Sequence, residues 1–306
     1  MPLNIPEKLP AIETLKKENI FVIDTKRATS QDIRPLRIAF LNLMPLKITA
    51  ETDFVRLLSN TPLQIELEFI KLKSHTSKNT PIEHMKAFYI DFAEIKKNRY
   101  DGLIINGAPL DFVEYEDVLY WDEIKEILDW ARTNVTSKFF ICWGAFAAMY
   151  YYYGIQKYTL PQKRFGVFKH VVCDKMNPIF RGFDDEFYVP FSRHVEVHMD
   201  DVLKEKKLTV LSKSTDDDVC LVKSVDRNEF FMFGHPEYAP DTLANEYFRD
   251  KEKGLDIQLP QNYFPDDDPT KKPMVRWRSH ANLLISNWLN YFVYQETPYD
   301  INEIHG

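Results

Sequence analysis

The stretch Lys138-Phe139-Phe140-Ile141-Cys142-Trp143-Gly144-Ala145-Phe146-Ala147-Ala148-Met149-Tyr150 places one cysteine between two runs of different character. The apolar run before Cys142 predicts a buried strand, and the small and aromatic residues after Gly144 predict a helix. A sharp strand-to-helix turn pushes its central side chain out of the sheet and points the next amide, that of Trp143, at the same space. The stretch therefore predicts a nucleophile elbow within an α/β sheet.

Strand-like and helix-like segments alternate through the first half of the chain. Strands are predicted at residues 36–43, 63–69 (half-exposed, near a sheet edge), 103–105 and 139–141. Helices are predicted at 47–59, from Thr80 as cap with Pro81 as first helical residue, and at 121–133. This alternation predicts an α/β fold with a doubly wound, mostly parallel sheet flanked by helices.

The second half of the chain is predicted to be richer in strands. They fall at residues 208–211, 219–222 and 230–233, with helices at 241–253 and 281–292. No internal repeat or interdomain linker interrupts the pattern. We therefore expect a single domain over residues 1–306, with an N-terminal arm (1–34) and a C-terminal extension (about 255–306).

Several candidate functional residues follow predicted strands. They are residues 44–45, 107–109, Cys142 and His235. Because the carboxyl ends of parallel strands share one sheet edge, a single site is expected there.

Composition excludes several classes of protein. The 306 residues are 44% hydrophobic with a net charge of −7 and contain no basic, aromatic stripe, so nucleic acid is not an expected partner. No apolar run approaches the roughly 20 residues that span a bilayer, so no membrane association is expected. The three cysteines lack metal-like spacing, which predicts no metal site, no disulfide framework and a reducing, cytoplasmic location.

Two short runs supply the chemistry. A cysteine in an apolar stretch is more often an inert core residue, which is how we interpret Cys173 and Cys220. Cys142 differs because a helix starting beside it would favour the thiolate. His235 and Glu237, in the run Gly234-His235-Pro236-Glu237-Tyr238, add a base and a carboxylate after another apolar stretch. Alone, His235 could be a core histidine, but with the elbow it indicates covalent acyl chemistry on a thiol.

The elbow and the 234–238 run resemble class I glutamine amidotransferases. The chain resembles more closely, over nearly its whole length, the homoserine O-acyltransferase family of methionine biosynthesis, the homoserine transsuccinylase type. Matching blocks occur in one order at residues 1–2, 5–6, 32–36, 41–45, 60–64, 80–84, 107–109, 120–121, 142–145, 154–155, 234–238, 262–265 and 287–291. One departure is Phe146, where relatives commonly have glutamine.

The resemblance implies a class I glutamine amidotransferase-like (flavodoxin-like) fold and a ping-pong reaction. Cys142 would take an acyl group from acyl-coenzyme A (acyl-CoA) as a thioester, and the hydroxyl of L-homoserine would then attack it. His235 would remove the hydroxyl proton while Glu237 orients His235. No permanently bound cofactor is implied, and a homodimer is expected from the family.

The resemblance also implies the groups that bind the reactants. Trp143 would supply one oxyanion amide, and the loop ending at Leu46 and Lys47 would supply a second. The implied substrate contacts are Lys163, Ser192, Arg249 and the neighbouring Arg193.

Asp111 and Ser192 occupy positions that the family associates with acyl-donor choice. Relatives with glycine at position 111 tend to use succinyl groups, and those with glutamate tend to use acetyl groups. Two like charges about 4 Å apart at a dielectric of about 20 repel by about 4 kcal/mol, so Asp111 would disfavour the succinyl carboxylate. This favours acetyl-CoA, although Asp111 could instead simply turn a loop. The alternatives are succinyl-CoA as donor, a glutamine-hydrolysing amidotransferase, and a non-catalytic binding protein with the same fold.

Overall fold

The computed structural model describes residues 3–4, 9–17, 22–23, 34–75, 77 and 79–304. Most of the expected N-terminal arm, including the blocks at residues 1–2, 5–6 and 32–33, lies outside the described residues. The described strands are β1 (Leu3–Asn4), β2 (Val22–Ile23), β3 (Leu36–Leu41), β4 (Ile65–Lys71), β5 (Tyr89–Asp91), β6 (Tyr100–Ile105), β7 (Val135–Ile141), β8 (Tyr158–Val172), β9 (Glu186–Glu196), β10 (Leu208–Ser214), β11 (Val219–Ser224) and β12 (Glu229–Met232). The described α-helices are α1 (Ala11–Lys17), α2 (Lys47–Leu58), α3 (Ile82–Phe88), α4 (Phe92–Ile95), α5 (Trp121–Asn134), α6 (Trp143–Tyr153), α7 (Met199–Lys204), α8 (Thr242–Glu252) and α9 (Arg278–Asn287).

All described strands join one sheet in the order β2-β1-β4-β3-β6-β7-β12-β11-β10-β8-β9, with β5 also paired to β4. Strands from β2 across to β12 pair in parallel, and those from β12 to β9 pair antiparallel. The predicted α/β fold with a large, mostly parallel sheet is confirmed. Within the described ranges, no helix is long and apolar enough to cross a bilayer.

Buried aromatic residues pack between β7, from the first half of the chain, and β12, from the second half. Phe139 and Phe140 of β7 lie opposite Phe230 and Phe231 of β12 in the parallel register. Their rings stack at centroid distances of 5.9 and 5.3 Å respectively. The apolar runs that precede the predicted nucleophile and base are therefore neighbouring strands, and their carboxyl ends come together.

The C-terminal segment packs against the parallel part of the sheet. Helix α9 continues into a π-helix, Trp288–Tyr294, where the prediction had one helix at 281–292. The buried indole of Trp288 donates to Ser137 Oγ at 2.8 Å. A Cβ on Gly102 would lie 2.7 Å from Ile38 Cδ1 and 3.1 Å from Trp288, so a larger residue there would require these side chains to shift.

One local prediction differs from the structure, and one pair of strands was missed. Pro81 precedes α3 as its N-cap residue rather than being its first helical residue. The prediction for β4 is confirmed, because its burial alternates and, of the described strands, only the two-residue strands β1 and β2 lie beyond it in the order of the sheet. The antiparallel hairpin of β8 and β9 was not predicted, because many β8 residues are exposed or half-exposed and form no apolar run.

Candidate active site

Cys142 is the single residue between β7 and α6. Its backbone has φ 50° and ψ −121°, a conformation that costs a non-glycine residue about 1–3 kcal/mol. Its N–H donates to Met232 O at 2.8 Å, which ties the elbow to the end of β12. Gly144 lets α6 begin against β6, because a Cβ there would lie 2.7 Å from Ile105 O. The structure thus has the predicted elbow, with Cys142 buried but not sealed at 5% exposure.

His235 bridges the cysteine and a carboxylate. Its Nδ1–H donates to Glu237 Oε1 at 2.7 Å, and a further side-chain hydrogen bond links the ring to Cys142. Burial alone would lower the pKa of His235, but the charges of Cys142 and Glu237 and both hydrogen bonds outweigh it. The net pKa of His235 is well above its ordinary value. The arrangement therefore favours the imidazolium form of His235.

Gly107 lies against Cys142 and His235. A Cβ on Gly107 would lie 3.2 Å from Cys142 Cβ, 3.5 Å from Cys142 Sγ and 3.6 Å from His235 Cε1. The sequence marked residues 107–109 as a strand end but gave Gly107 no role. Its missing side chain leaves room for sulfur and imidazole to meet.

The loop from Asn42 to Leu46 leads into α2. Asn106 lies between this loop and the elbow. Leu46 is the N-cap residue of α2, and its side chain is 57% exposed. Lys47 turns inward, where its Nζ donates to the Asn42 carbonyl, so its side chain holds its own loop. Burial lowers the pKa of Lys47 to about 8, with Glu51 opposing the shift. The first amides of α2 are available as anion donors, as at any helix start.

A buried polar network supports this loop, and sequence reasoning missed it. Asn106 Oδ1 accepts from the Leu43 N–H at 2.6 Å, and Asn106 Nδ2 donates to Asn42 Oδ1 at 2.9 Å. Asn42 Nδ2 in turn donates to Tyr89 Oη at 2.9 Å, and Tyr89 Oη donates to Glu51 at 2.5 Å. The loop that precedes α2 is therefore fixed to the end of β6. The available signal was Asn106 directly after the predicted strand 103–105, together with Asn42 near the end of the predicted strand 36–43.

Three of the expected substrate contacts surround one carboxylate. Ser192 Oγ lies 2.8 and 2.9 Å from the two oxygens of Glu246, and Lys163 Nζ also binds Glu246. Arg249 Nη2 is 3.9 Å from Glu246, while its Nε binds Asp250 at 2.6 Å. Glu246 was not predicted. Its position one helical turn before Arg249 on α8 was the signal that could have found it.

Arg193 does not join this group, contrary to expectation. Neighbouring residues of a strand point to opposite faces, so Arg193 faces the interior while Ser192 faces Glu246 on the other side of β9. It is 1% exposed and binds both oxygens of Asp218, at 2.5 and 2.6 Å. Its guanidinium also lies 5.9 Å from the ring of Phe146, which is packed on Phe233 at 4.7 Å. Arg193 and Phe146 are therefore core residues behind the cleft.

Asp111 lies in the loop after β6, within reach of β9. Its Oδ2 accepts from the His194 N–H at 2.7 Å. His194 is two residues beyond Ser192 and therefore on the same face of β9. Burial and the charge of Lys163 lower the pKa of His194, and the charges of Asp111 and Glu246 oppose that shift. The residue expected to select the acyl group is thus attached to the strand that contains Ser192.

Solved structures identify the class of fold. A glutamine amidotransferase from Thermotoga maritima matches with a TM-score of 0.54 at 15% identity, covering 86% of this chain and 100% of that one. A glutamine amidotransferase from Methylobacillus flagellatus matches with a TM-score of 0.53 at 12% identity, covering 88% and 99% of the two chains. The fold is that of the class I glutamine amidotransferases.

The family described as homoserine O-succinyltransferase matches residues 2–299. The chain is 66% identical over 304 residues to a homoserine O-acetyltransferase from Bacteroides fragilis, covering 99% of this chain and 100% of that protein. It is 64% identical to one from Bacteroides thetaiotaomicron and 56% identical to one from Acetivibrio thermocellus, with the same coverage. The protein belongs to the homoserine O-succinyltransferase family. The resemblance stated above is confirmed, and the protein is a homoserine O-acyltransferase.

Proposed function

We propose that the protein transfers the acetyl group of acetyl-CoA to the hydroxyl of L-homoserine in methionine biosynthesis, through a thioester on Cys142. The observation that carries this proposal is the position of His235, hydrogen-bonded to both Cys142 and Glu237. The names of the relatives at 56–66% identity support acetyl as the transferred group.

In the first half-reaction the Cys142 thiolate attacks the thioester carbonyl of acetyl-CoA. The amide of Trp143 and an amide at residues 46–47 stabilise the oxyanion; removing one such donor typically costs about 10²–10³ in rate. As the carbon–sulfur bond to coenzyme A breaks, the imidazolium of His235 gives its proton to the departing thiolate. The products are acetyl-Cys142, free coenzyme A and neutral His235.

In the second half-reaction the homoserine hydroxyl attacks the acetyl carbonyl. Neutral His235 takes the hydroxyl proton, and Glu237 holds the opposite ring nitrogen so that the accepting nitrogen faces the substrate. The tetrahedral intermediate releases the acetyl ester and the Cys142 thiolate. This restores the thiolate–imidazolium pair.

Homoserine is an amino acid, so its site needs an acceptor for the ammonium and a donor for the carboxylate. Glu246, with its oxygens directed by Ser192 and Lys163, suits the ammonium. Arg249 is half-exposed and one turn away, and it suits the carboxylate as a bidentate partner if it releases Asp250. We leave Arg193 out of these contacts because its guanidinium is buried in the interior and paired with Asp218.

Donor choice rests on Asp111. A fixed carboxylate in the acyl pocket repels a succinyl group and tolerates an acetyl group. Succinyl-CoA remains the alternative donor, because aspartate reaches one methylene less far than glutamate. Glutamine hydrolysis shares the fold but is disfavoured by the family match over residues 2–299.

The thioester is tested by incubating the protein with acetyl-CoA or succinyl-CoA and measuring its intact mass. We expect an added acetyl group on the wild-type protein that is absent from Cys142→Ala and present in Cys173→Ala, the control at an exposed free cysteine. An acetylated Cys142→Ala protein, or a wild-type protein modified by neither donor, would contradict the proposed mechanism.

We also propose a cytoplasmic homodimer. A reducing compartment suits the free thiols Cys142, Cys173 and Cys220, and cytoplasmic acetyl-CoA would be the donor. The dimer is carried over from the family resemblance. Light scattering on the purified protein measures its mass directly, and a mass of one chain would refute the dimer.

A further inference from the structure

One lysine organises the loop that contains Asp111. The Nζ of Lys157, the residue before β8, lies 2.6 Å from Val113 O, 2.9 Å from Asp111 O and 3.4 Å from Leu110 O. An ammonium has three donor protons, and here three carbonyls of one short loop surround it. The loop is also closed by its own turn, because the Val113 N–H donates to Leu110 O at 3.1 Å.

The surroundings of Lys157 hold its ammonium in place. It lies 4.8 Å from the centroid of the Tyr115 ring, which is itself buried and stacked on Tyr150 at 4.4 Å. Burial lowers the pKa of Lys157, and the charges of Glu114 and Asp111 oppose that shift. The side chain is thus a half-buried internal connection rather than a solvated surface charge.

A second contact holds the same loop from the other side. The His194 N–H donates to Asp111 Oδ2, and the ring of Phe112 lies 4.9 Å from the ring of His194. The backbone of Asp111 is therefore bound by Lys157 while its carboxylate is bound by β9. Together these contacts fix both the position and the direction of the carboxylate.

We propose that Lys157 is a positioning residue for acyl-donor selectivity: it gathers the carbonyls of residues 110–113 and so keeps the Asp111 carboxylate against β9. This inference rests on the proposed function, since the position of Asp111 matters to turnover only if the enzyme selects among acyl-CoA donors. Without the ammonium, Asp111 O and Val113 O lose this donor, Leu110 O keeps only the Val113 N–H, and the loop can move outward. A longer acyl group ending in a carboxylate then gains room and meets less repulsion.

The test compares Lys157→Met, which keeps the aliphatic chain, with Lys157→Arg, which keeps a charged donor. Values of kcat/KM are measured with acetyl-CoA and with succinyl-CoA at saturating homoserine. We expect the acetyl-to-succinyl ratio to fall about tenfold in Lys157→Met and to be largely retained in Lys157→Arg. Lys169→Met, within β8 and in a half-exposed pair with Glu186, is the matched control and should keep the wild-type ratio.

The same comparison in an Asp111→Gly background separates selectivity from general damage. If Lys157 acts through Asp111, Lys157→Met should change the ratio by less than about twofold once the carboxylate is gone. An equal loss of rate with both donors, or a shift of the ratio that persists in Asp111→Gly, would overturn the inference. A wild-type protein that uses neither donor would instead refute the proposed function. Should Lys157→Met not fold, Lys157→Gln gives the same comparison.

Discussion

Gly107 lies where an added side chain would press directly on Cys142 and His235. An alanine Cβ there would meet Cys142 Cβ at 3.2 Å, closer than most real contacts, so Cys142 or the loop must shift by a few tenths of an ångström. Small displacements of reacting groups are costly, since about 1 Å can cost 10²-fold in rate. We expect Gly107→Ala to lower kcat at least about tenfold with little effect on stability.

Gly154→Ala is the opposite control. Gly154 ends α6 at φ 70° with open space around it, so alanine there is strained but touches no catalytic group. It should lower the free energy of unfolding by about 1 kcal/mol and leave kcat unchanged. Steady-state kinetics measures kcat, and urea unfolding measures the free energy of unfolding, for both variants. Full activity in Gly107→Ala would show that the cleft is looser than the structure indicates.

Among single residues, sequence reasoning anticipated which side chains meet where residue type and local context are informative. Cys142 and the His235–Glu237 pair, which the structure brings together, could be chosen as candidates because each follows an apolar run that ends at the sheet edge. Glu246 could not be identified from the sequence. A glutamate on a helix face indicates no function by itself, and only the fold shows that Lys163 of β8 and Ser192 of β9 contact it. The expectation that Arg193 joins Ser192 was wrong. The two side chains point to opposite faces of β9, and this could not be foreseen without knowing that the segment is a strand.

At the scale of elements, the start of α2 depends on buried Glu51. Its carboxylate is fully buried, accepts from Tyr89 Oη at 2.5 Å, and lies 3.0 Å from His84 Nε2. It also supplies the negative charge near the buried Lys47. Glu51→Gln keeps the shape but leaves that ammonium without its countercharge, which loosens the loop before α2.

We expect Glu51→Gln to slow both half-reactions about tenfold, because both use the same oxyanion donors, while the KM for homoserine changes little. Time-resolved intact mass measures acetylation of Cys142, and a coupled assay measures its transfer. Glu126→Gln, an exposed partner of Lys96, is the control and should have no effect. A defect confined to homoserine affinity would show that Glu51 does not act through this loop.

The parallel elements were predictable and the antiparallel ones less so, for a physical reason. Strands β3, β6, β7 and β12 are buried on both faces, so each gives an apolar run that the sequence displays. Strand β8 is long and largely solvated, and its polar residues serve the cleft and surface ion pairs. Its course is set by pairing with β9, a contact between distant residues.

For the whole molecule, the two parts of the sheet divide the work. The parallel part contains the elbow and the proposed base and oxyanion loop, and the antiparallel part contains Lys163 and Ser192 and binds Asp111. The C-terminal segment packs on α2, β7 and β9, and so touches both parts. The division into an arm at residues 1–34, one domain and an extension from about residue 255 stays a prediction.

Two buried groups give the stability of the molecule opposite responses to acid. Burial raises the pKa of Asp53 to about 7, helped by Glu237 and Asp241 and opposed by Arg56. Between about pH 7 and the unfolded value of about 4, the folded protein holds the extra proton on Asp53, so this group stabilises the fold as pH falls. His170 acts in the other direction and can be isolated by substitution.

His170 is fully buried, its Nδ1 is bound to Phe168 O at 3.0 Å, and its Nε2 has no hydrogen-bond partner among the described residues. Burial and the nearby Arg164 lower its pKa to about 3, against about 6.5 in the unfolded chain. Between these values the unfolded chain binds more protons, so the free energy of unfolding falls as pH falls below about 6.5, by up to about 1.4 kcal/mol per unit. His170→Phe, whose ring can keep the stacking on Phe191, should flatten this decline, whereas His198→Gln at an exposed position should not. Urea unfolding at pH 7, 6 and 5 measures the difference in slope, and parallel wild-type and His170→Phe curves would exclude His170 as the source.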